Sequence, residues 1–474
     1  MNDRQAISAD CDVLIIGAGL SGLAAGIRLG LFGKRVLLCE RHYTIGGLNS
    51  FYRRNGHDYE VGLHAMTNIA PREDRGAVLY RTLRQLEIDP DAIGFVPQRQ
   101  SAIAFPGIRL TFGNGIDRLR SSIAETFPDQ VAGFDRVVAS IPRLKGIDAA
   151  DSRSAREFLA EHLSNPLLRE MLLCPLMYYG AATPDDMPFG QFAILFRSIF
   201  IEGMGRPARG VRGLLKVLIE KFRETGGTLR LRCGIKSLIV ENDRVVAVEL
   251  DDGTRLRPRK VLSSAGGPET FALVRAADGA VPQTSARPRP GALSFCEAIA
   301  VLNRSVCELG HKDTIVFFSR DERFAYRSPD GLIGSRSGVV CVPDAFEQPD
   351  PRLEPMVRVT ALADYDRWAA LDEAAYRRAK EEVFSQLMEV ASLYVPDFSD
   401  HVIDRDLFTP LTITRYTGRM QGAVYGSPDK RHDGATPWRN LLLCGTDQGY
   451  LGIVGSMVSG VAMAARCLVD EPSP

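Results

Sequence analysis

The chain has 474 residues, of which 45% are hydrophobic and 24% are charged. This length exceeds what one simple core needs, so we expect two or three structural units. The 58 Lys and Arg residues balance the 58 Asp and Glu residues, and this lack of a basic excess argues against nucleic acid as a partner.

The cysteines and the N-terminus indicate the cellular environment. Nine cysteines occur and none forms a C-x-x-C pair, so we expect buried free thiols in a reducing compartment, and neither a disulfide framework nor a metal site. The sequence shows no signal peptide and no stretch of ~18 apolar residues that would span a membrane. We expect a cytoplasmic protein, and contact with the periphery of a membrane stays open as an alternative.

The first predicted elements are a strand, a tight turn, a helix and a second strand. Residues 12–16 become a continuous apolar run after Asp12, which is typical of a parallel strand buried on both faces. The turn Gly17-Ala18-Gly19-Leu20-Ser21-Gly22 follows, and the Ala- and Leu-rich residues 20–31 predict a helix. A second apolar run, residues 35–39, ends at Glu40.

The glycines and the acidic residue of this unit each have a physical role in binding a dinucleotide. Gly17 permits the tight turn, Gly19 lets the backbone approach a pyrophosphate, and Gly22 lets the helix pack on the strand. The helix N-terminus presents backbone N–H groups to the phosphates. Glu40 lies 18 residues beyond Gly22, where its carboxylate can bond a ribose diol and would repel the 2′-phosphate of NADP.

Two further segments favour FAD over NAD. Gly46-Gly47 supplies a second glycine pair soon after the ribose-binding acid, as in flavoproteins of the glutathione-reductase type. Residues 440–445 predict a buried strand, and a Gly-rich loop leads from it to a helix predicted from Ser456. The N-terminus of that helix would stabilise negative charge on the reduced flavin, and Asp447 would hold the ribityl chain or a water that bridges the phosphates.

The middle of the chain predicts helices and a flanking meander. Residues 213–225 place their apolar side chains on one helical face, and residues 244–250 alternate as a strand does. The insert from about residue 71 to 205 is expected to be mainly helical. Its residues 189–200 are strongly apolar and aromatic, which indicates a core helix, with an apolar substrate tunnel or a membrane-contacting surface as alternatives.

Several stretches resemble one family of flavoproteins. Residues 40–47 and Tyr59-Glu60-Val61-Gly62-Leu63-His64 are similar to the phytoene desaturase-like family, which holds carotenoid desaturases, carotenoid isomerases and retinol saturases. The other similar stretches are Arg209-Gly210-Val211-Arg212-Gly213-Leu214, Gly226-Gly227-Thr228-Leu229-Arg230-Leu231, Val261-Leu262-Ser263-Ser264-Ala265-Gly266, and residues 409–416 with Tyr425-Gly426. The resemblance is weak over residues 66–200 and 291–400.

The resemblance implies an α/β fold in which a Rossmann-like FAD-binding domain of the glutathione-reductase type carries an inserted α+β substrate domain. It places a discontinuous FAD-binding domain at residues 1–70, 205–285 and 405–474. The substrate-binding domain is then residues 71–204 and 286–404, with a helical part that contacts a membrane in one alternative. The implied substrate is a long apolar isoprenoid polyene, and the implied reaction is desaturation, saturation or cis/trans isomerisation.

The sequence and the resemblance together single out the site residues. The predicted FAD-binding residues are Gly17, Gly19, Ser21, Gly22, Glu40, Arg41, Gly46, Gly47, Ile235, Gly445, Asp447, Ile453 and Val454. The predicted catalytic residues are His64, which the family places near the isoalloxazine, and Arg415 and Tyr416, which we expect at the mouth of the cavity. No sequence pattern predicts a metal ion or an oligomeric state.

Two alternatives stay open. A flavin amine oxidase-like enzyme would keep the FAD site and act on an amine instead of a polyene. A non-catalytic prenyl-binding protein of the Rab escort type shares the fold but need not keep the flavin contacts, all of which are present in this sequence. The sequence therefore predicts an FAD-dependent oxidoreductase or isomerase, and it does not separate the three reactions of a polyene.

Overall fold

The computed structural model describes residues 11–74, 76–141, 151–347, 350 and 352–469. Its first layer is a five-stranded parallel sheet, which contains the predicted dinucleotide unit. In spatial order the strands are Thr228–Arg230, Val36–Cys39, Val13–Ile16, Lys260–Ser263 and Leu441–Leu443. Every residue of Val13–Ile16 and Val36–Cys39 is buried, as expected for parallel strands covered on both faces.

Helices cover one face of the parallel sheet and a second sheet covers the other. The helices are Leu20–Leu31, Gly210–Glu224 and Gly452–Leu468, and they share one buried cluster with the strands. The second sheet has the strand order Arg255–Leu256, Arg244–Leu250, Ile235–Glu241 and Val274–Ala276, and it packs on the opposite face. Successive side chains of a strand point to opposite faces, so one short apolar run serves both layers.

Two of these helices begin earlier than the sequence pattern predicts. The helix predicted from Gly213 begins at Gly210, and the helix predicted from Ser456 begins at Gly452. Both starting residues are glycines with positive φ, +61° and +73°. Glycine is a poor helix former and breaks the apolar periodicity, so the first turn of each helix is hidden in the sequence.

A seven-stranded mixed sheet forms the second large layer. Its strand order is Val402–Phe408, Ser294–Leu302, Met356–Ala363, Ile333–Cys341, Ile315–Ser319, Ser101–Phe105 and Ile108–Phe112. Ser101–Phe105 and Ile315–Ser319 pair in parallel, and the other pairs are antiparallel. This sheet therefore joins both segments of the predicted substrate domain, while its edge strand Val402–Phe408 crosses the predicted limit at residue 404. The domain limits themselves stay a prediction.

Helices cover both faces of the seven-stranded sheet. One face carries Asp117–Thr126, Val131–Ser140, Ala155–His162, Pro166–Gly180 and Phe189–Phe196, which share an aromatic core with the sheet. The last of these continues as a π-helix over Arg197–Ile201. Helix Glu373–Ala391 packs on the other face. The insert is therefore mainly helical, as the sequence predicts, and two of its strands complete the sheet.

Shorter elements connect these layers. They are the strands Phe51–Arg54, His57–Glu60, Met66–Thr67, Phe95–Pro97 and Met204–Pro207, and the helices Val78–Gln85, Pro90–Ile93, Gly267–Leu273, Tyr365–Ala369 and Pro410–Thr417. Eight of the nine cysteines are buried and Cys307 is half-buried, which confirms the predicted burial of the cysteines. Within the described ranges, no helix combines the length and the apolar composition needed to cross a membrane.

The glycine turn gives a test of the packing. A Cβ at Gly22 would lie 2.1 Å from the Gly17 carbonyl oxygen, which is backbone and cannot move aside. We expect Gly22→Ala to lower the free energy of unfolding of the apoprotein by about 1–3 kcal/mol, as overpacked sites do. Urea unfolding followed by circular dichroism measures it. Gly113→Ala is the matched control, since its Cβ meets only Arg118 and Arg99 at 3.6 Å or more. Equal stabilities would contradict the assigned packing role.

Candidate active site

A continuous cavity of about 950 Å³ runs from the parallel sheet to the seven-stranded sheet. It begins at the carboxyl ends of the parallel strands, where Gly17, Glu40, Ser264 and Gly445 line it. Open α/β sheets bind ligands at this edge. The volume lies near the upper end of the ~300–1,000 Å³ range of ligand pockets, so the cavity has room for an elongated ligand.

The two predicted glycine segments lie against each other at the start of the cavity. Gly17 has φ +93°, which permits the turn, and Gly46 donates its N–H to the Ala18 carbonyl at 2.9 Å. A Cβ at Gly47 would lie 3.5 Å from Gly19 Cα, whereas a Cβ at Gly19 would enter open space. The turn therefore forms a cradle without side chains at the N-terminus of helix Leu20–Leu31, as a pyrophosphate requires.

The Glu40 carboxylate is fixed at the end of the second strand. Its Oε2 accepts from the Ala18 N–H and its Oε1 accepts from the His42 N–H, both at 2.8 Å. The residue is 7% exposed, and it lines the cavity. Each carboxylate oxygen has a further lone pair, so Glu40 can also accept from the hydroxyls of a ribose.

The predicted contact at Ile235 lies beside Glu40. Ile235 lines the cavity together with Cys233 and Gly234. The Cys233 N–H donates to the Glu40 carbonyl at 2.8 Å, which ties this segment to the second parallel strand. The site at this end thus has backbone and apolar groups, which suit the adenine of a dinucleotide.

The C-terminal loop closes the other side of the cradle. Gly445, with φ +94°, lies so close to Ser21 that a Cβ would be 3.0 Å from the Ser21 hydroxyl. Gly445 and Ser21 line the cavity, and so does Ile453 in the first turn of helix Gly452–Leu468. Val454, in contrast, is 1% exposed and packs into the core behind the cavity.

The Asp447 carboxylate points into the protein rather than toward the cavity. Its Oδ1 accepts from the Ser427 N–H at 2.8 Å, and its Oδ2 accepts from the Gly267 N–H at 2.5 Å. Arg419 Nη1 lies 3.6 Å from Oδ2, and Asp447 is 1% exposed. The sequence predicts that this carboxylate holds the ribityl chain or a water. The structure shows both oxygens engaged in fixing two backbone segments.

His64 lies where the glycine cradle meets the seven-stranded sheet. Its Nε2 is 3.0 Å from Glu297 Oε1 and 3.1 Å from Thr360 Oγ1. Glu297 also accepts from Arg358 Nε at 2.6 Å. Burial raises the pKa of Glu297, but the charge of Arg358 and the hydrogen bonds from Arg358 and His64 outweigh burial and hold that pKa below its ordinary value. Glu297 is therefore ionised at neutral pH.

A second buried arginine holds the backbone at His64. Arg206 donates to the carbonyl of Leu63 at 3.4 Å and to that of His64 at 3.3 Å. Its other terminal nitrogen donates to Glu60 Oε2 at 2.5 Å, and Glu60 Oε1 accepts from the Val211 N–H. Glu60 therefore links the helix that begins at Gly210 to the loop that carries His64.

Arg415 and Tyr416 are not among the described residues that line the cavity, and their predicted catalytic role stays a prediction. Tyr416 is 45% exposed, and the Arg415 guanidinium lies 5.5 Å from its ring. The Arg415 carbonyl accepts from Arg41 Nη2 at 2.7 Å. Among the described residues of helix Pro410–Thr417, Ile413 and Thr417 line the cavity. Residues four apart share a helical face, and Arg415, which lies midway between Ile413 and Thr417 in sequence, is on the opposite face.

The cavity beyond His64 has mainly apolar walls. Its described lining there includes Tyr178, Tyr179, Ile194, Leu195, Phe295, Val339, Val424, Tyr425 and Leu451. Ile194 and Leu195 belong to the aromatic stretch of residues 189–200, whose Phe192, Phe196 and Phe200 are fully buried in the core. The helix thus serves as a core helix and also lines the cavity.

The sequence reasoning missed Glu297, Arg358 and Thr360. They lie in stretches where the resemblance is weak, so no motif marked them. A signal was nevertheless present, because Glu297 and Arg358 interrupt strands that are otherwise uncharged and buried. A charged residue in such a strand must be paired to be stable there, which identifies it as a candidate for the site.

Comparisons with known proteins agree with this geometry. Residues 20–468 match the model of the flavin containing amine oxidoreductase family. A chloroplastic prolycopene isomerase of Daucus carota is 20% identical over 98% of this chain and 81% of its own length. An all-trans-retinol 13,14-reductase of Danio rerio is 21% identical over 98% and 86%. An oxidoreductase structure from Methanosarcina mazei superposes with a TM-score of 0.66 at 14% identity, covering 96% of this chain and 99% of the other.

These findings confirm the predicted Rossmann-like FAD-binding fold, the cofactor FAD and the assignment as an enzyme. The structure itself also fits FAD, because it combines a glycine cradle without side chains, a hydrogen-bonded Glu40 and a helix N-terminus. The match to a family of FAD-dependent enzymes therefore favours an enzyme over the alternative of a non-catalytic prenyl-binding protein. The chain belongs to the flavin-containing amine oxidoreductase family, and these relatives bear out the predicted resemblance to carotenoid desaturases, carotenoid isomerases and retinol saturases.

Proposed function

We propose that the protein acts on a long apolar isoprenoid polyene, such as a carotenoid or a retinoid, by desaturation, saturation or cis/trans isomerisation. The observation that carries the proposal is the apolar cavity that continues from the cofactor cleft. The relatives named for prolycopene and all-trans-retinol support the same substrate class. Because such a substrate partitions into lipid, we also propose a cytoplasmic enzyme that meets a membrane surface to load it.

We propose that FAD lies along the glycine cradle. The residues that would contact it are Gly17, Gly19, Ser21, Glu40, Arg41, Gly46, Gly47, Ile235, Gly445 and Ile453, which all line the cavity. Gly22, Asp447 and Val454 would support these segments from inside the protein. When bound, FAD supplies the acceptor or the donor of a hydride, which amino-acid side chains do not provide.

The chain's own residues would handle the proton and exclude water. His64 is the ionisable ring at the junction of the cleft and the apolar walls, so it would take or give the proton that accompanies the reaction. The apolar walls would keep water from the reacting carbons. The first turn of helix Gly452–Leu468 faces the cavity and favours negative charge there.

Gly19→Ala tests the cofactor site. Its Cβ meets no protein atom within 4 Å, so we expect an apoprotein as stable as the wild type. The methyl group would occupy the space of the pyrophosphate, and we expect FAD affinity to fall at least about 100-fold, which is ~2.7 kcal/mol. Titration of FAD fluorescence measures the affinity, with Gly113→Ala as the control. Unchanged affinity would remove FAD from the cradle.

A panel of substrates tests the proposed reaction. We expect the FAD-loaded protein to convert at least one carotenoid or retinoid. The products, identified by mass spectrometry and by chromatography of geometric isomers, will have gained two hydrogens, lost two hydrogens or changed geometry alone. Amines assayed for peroxide release are the comparison. Turnover of amines without turnover of any polyene would replace the proposal by an amine oxidase.

Ile194→Trp tests the position of the substrate. Ile194 lines the apolar part of the cavity and lies outside the proposed FAD contacts. The indole ring of tryptophan is larger than the isoleucine side chain and would narrow the cavity. We therefore expect kcat/KM for a long polyene to fall about tenfold or more, which is a loss of ~1.4 kcal/mol of transition-state binding. FAD affinity should stay unchanged. Ile194→Leu conserves the volume and serves as the control; an equal loss in both variants would argue against this placement.

A further inference from the structure

Three ionisable side chains, Arg358, Glu297 and His64, form a hydrogen-bonded series that ends in the cavity. Glu297 and Arg358 lie on the neighbouring strands Ser294–Leu302 and Met356–Ala363 of the seven-stranded sheet. The antiparallel register sets Glu297 directly opposite Thr360 and sets Ile299 opposite Arg358. Side chains two residues apart share a face, so Glu297, Arg358 and Thr360 all point to the face that meets His64.

The hydrogen bonds fix where His64 carries a proton. A carboxylate is only an acceptor, so His64 Nε2 must donate to Glu297 Oε1, which lies 3.0 Å away. A neutral imidazole has one N–H, and Nδ1 is then left with its lone pair. Among the described residues Nδ1 has no hydrogen-bond partner, and it is absent from the buried polar atoms without a partner. It is therefore accessible from the cavity that His64 lines.

Arg358 holds both Glu297 and the backbone beside His64 in place. The side chain is 1% exposed, and its Nε donates to Glu297 Oε1 at 2.6 Å while its Nη1 donates to the Leu63 carbonyl at 2.7 Å. The same guanidinium therefore holds the carboxylate and the backbone next to His64. Such a partner behind an active histidine sets both its tautomer and its orientation.

We propose that Glu297 and Arg358 are positioning residues that hold His64 in the Nε2-protonated tautomer, so that Nδ1 is the atom that exchanges protons with the substrate. This inference rests on the proposed function. In desaturation, a hydride leaves one carbon with oxidised FAD as acceptor. The C–H bond of the neighbouring carbon breaks, its electron pair becomes the new C=C bond, and its proton goes to Nδ1. In saturation His64 would first take a proton from solvent at Nδ1, and the resulting imidazolium would give that proton to carbon, while bound reduced FAD would supply the hydride.

Selective ¹⁵N labelling of the histidines of the FAD-bound protein tests the tautomer directly. The chain has seven histidines, and the signals lost in His64→Gln identify His64. We expect ring nitrogen shifts of a neutral imidazole protonated at Nε2. The double variant Glu297→Leu with Arg358→Leu removes the acceptor without leaving a buried charge unpaired, and we expect a mixture of tautomers. Polyene turnover should fall about 10–100-fold, the size of the loss seen when the hydrogen-bond partner of a metal-binding histidine is removed.

Three controls separate positioning from folding. Glu354→Gln alters a second close His–Glu pair among the described residues, in which His57 Nδ1 lies 2.6 Å from Glu354 Oε1 outside the cavity lining, and we expect no change at His64. Thr360→Val removes the second neighbour of Nε2, and the tautomer should persist. FAD affinity of the double variant should stay within about twofold of wild type, which is ~0.4 kcal/mol; a larger loss would make the pair structural.

The outcomes distinguish this inference from the proposed function. Wild-type His64 protonated at Nδ1, or a tautomer unchanged in the double variant, would overturn the positioning role whatever the substrate. An Nε2-protonated His64 in an enzyme that converts no polyene would support the positioning role and defeat the proposed substrate. The NMR measurement needs no substrate, so neither failure can be mistaken for the other.

Discussion

The grip of two buried arginines on the backbone at Leu63 and His64 is the constraint on which the site depends. Arg358 comes from the seven-stranded sheet and Arg206 from a strand beside the cradle, and both donate to the Leu63 carbonyl. The loop that carries His64 is thereby fixed to the seven-stranded sheet and to the strand Met204–Pro207. These bonds hold His64 where the cofactor cleft meets the apolar part of the cavity.

Each arginine is stable in the interior because a carboxylate accompanies it. A buried charge without a partner costs several kcal/mol, and removing one member of a buried pair costs ~3–5 kcal/mol. Arg206 pairs with Glu60, and Arg358 pairs with Glu297. The two pairs are weak evidence of stability, but they do fix the geometry of the site. Glu60 also accepts from the Val211 N–H, and Glu297 also bonds His64.

The sequence predicted the cofactor half well and the substrate half poorly, for a physical reason. A cradle for a pyrophosphate needs glycines at fixed spacing and an acid at the next strand end, so Gly17, Gly19 and Glu40 are local in sequence. The partners of His64 come from strands more than 230 residues away, and only the sheet register brings them together. Arg415 and Tyr416 do not line the cavity, and their motif gave no helical phase from which this could be predicted.

The charges of Glu297 and Arg358 beside His64 bear on whether the substrate is a polyene or an amine. An amine oxidase must bind and orient a nitrogen that is readily protonated, and a buried carboxylate would serve that purpose. In this cavity the carboxylate of Glu297 is compensated by Arg358 at 2.6 Å, and their charges sum to zero. An ion pair without net charge attracts an ammonium ion only weakly, whereas an uncharged polyene gains no binding energy from charge and so loses none beside this pair. The compensated Glu297 therefore supports a substrate without charge.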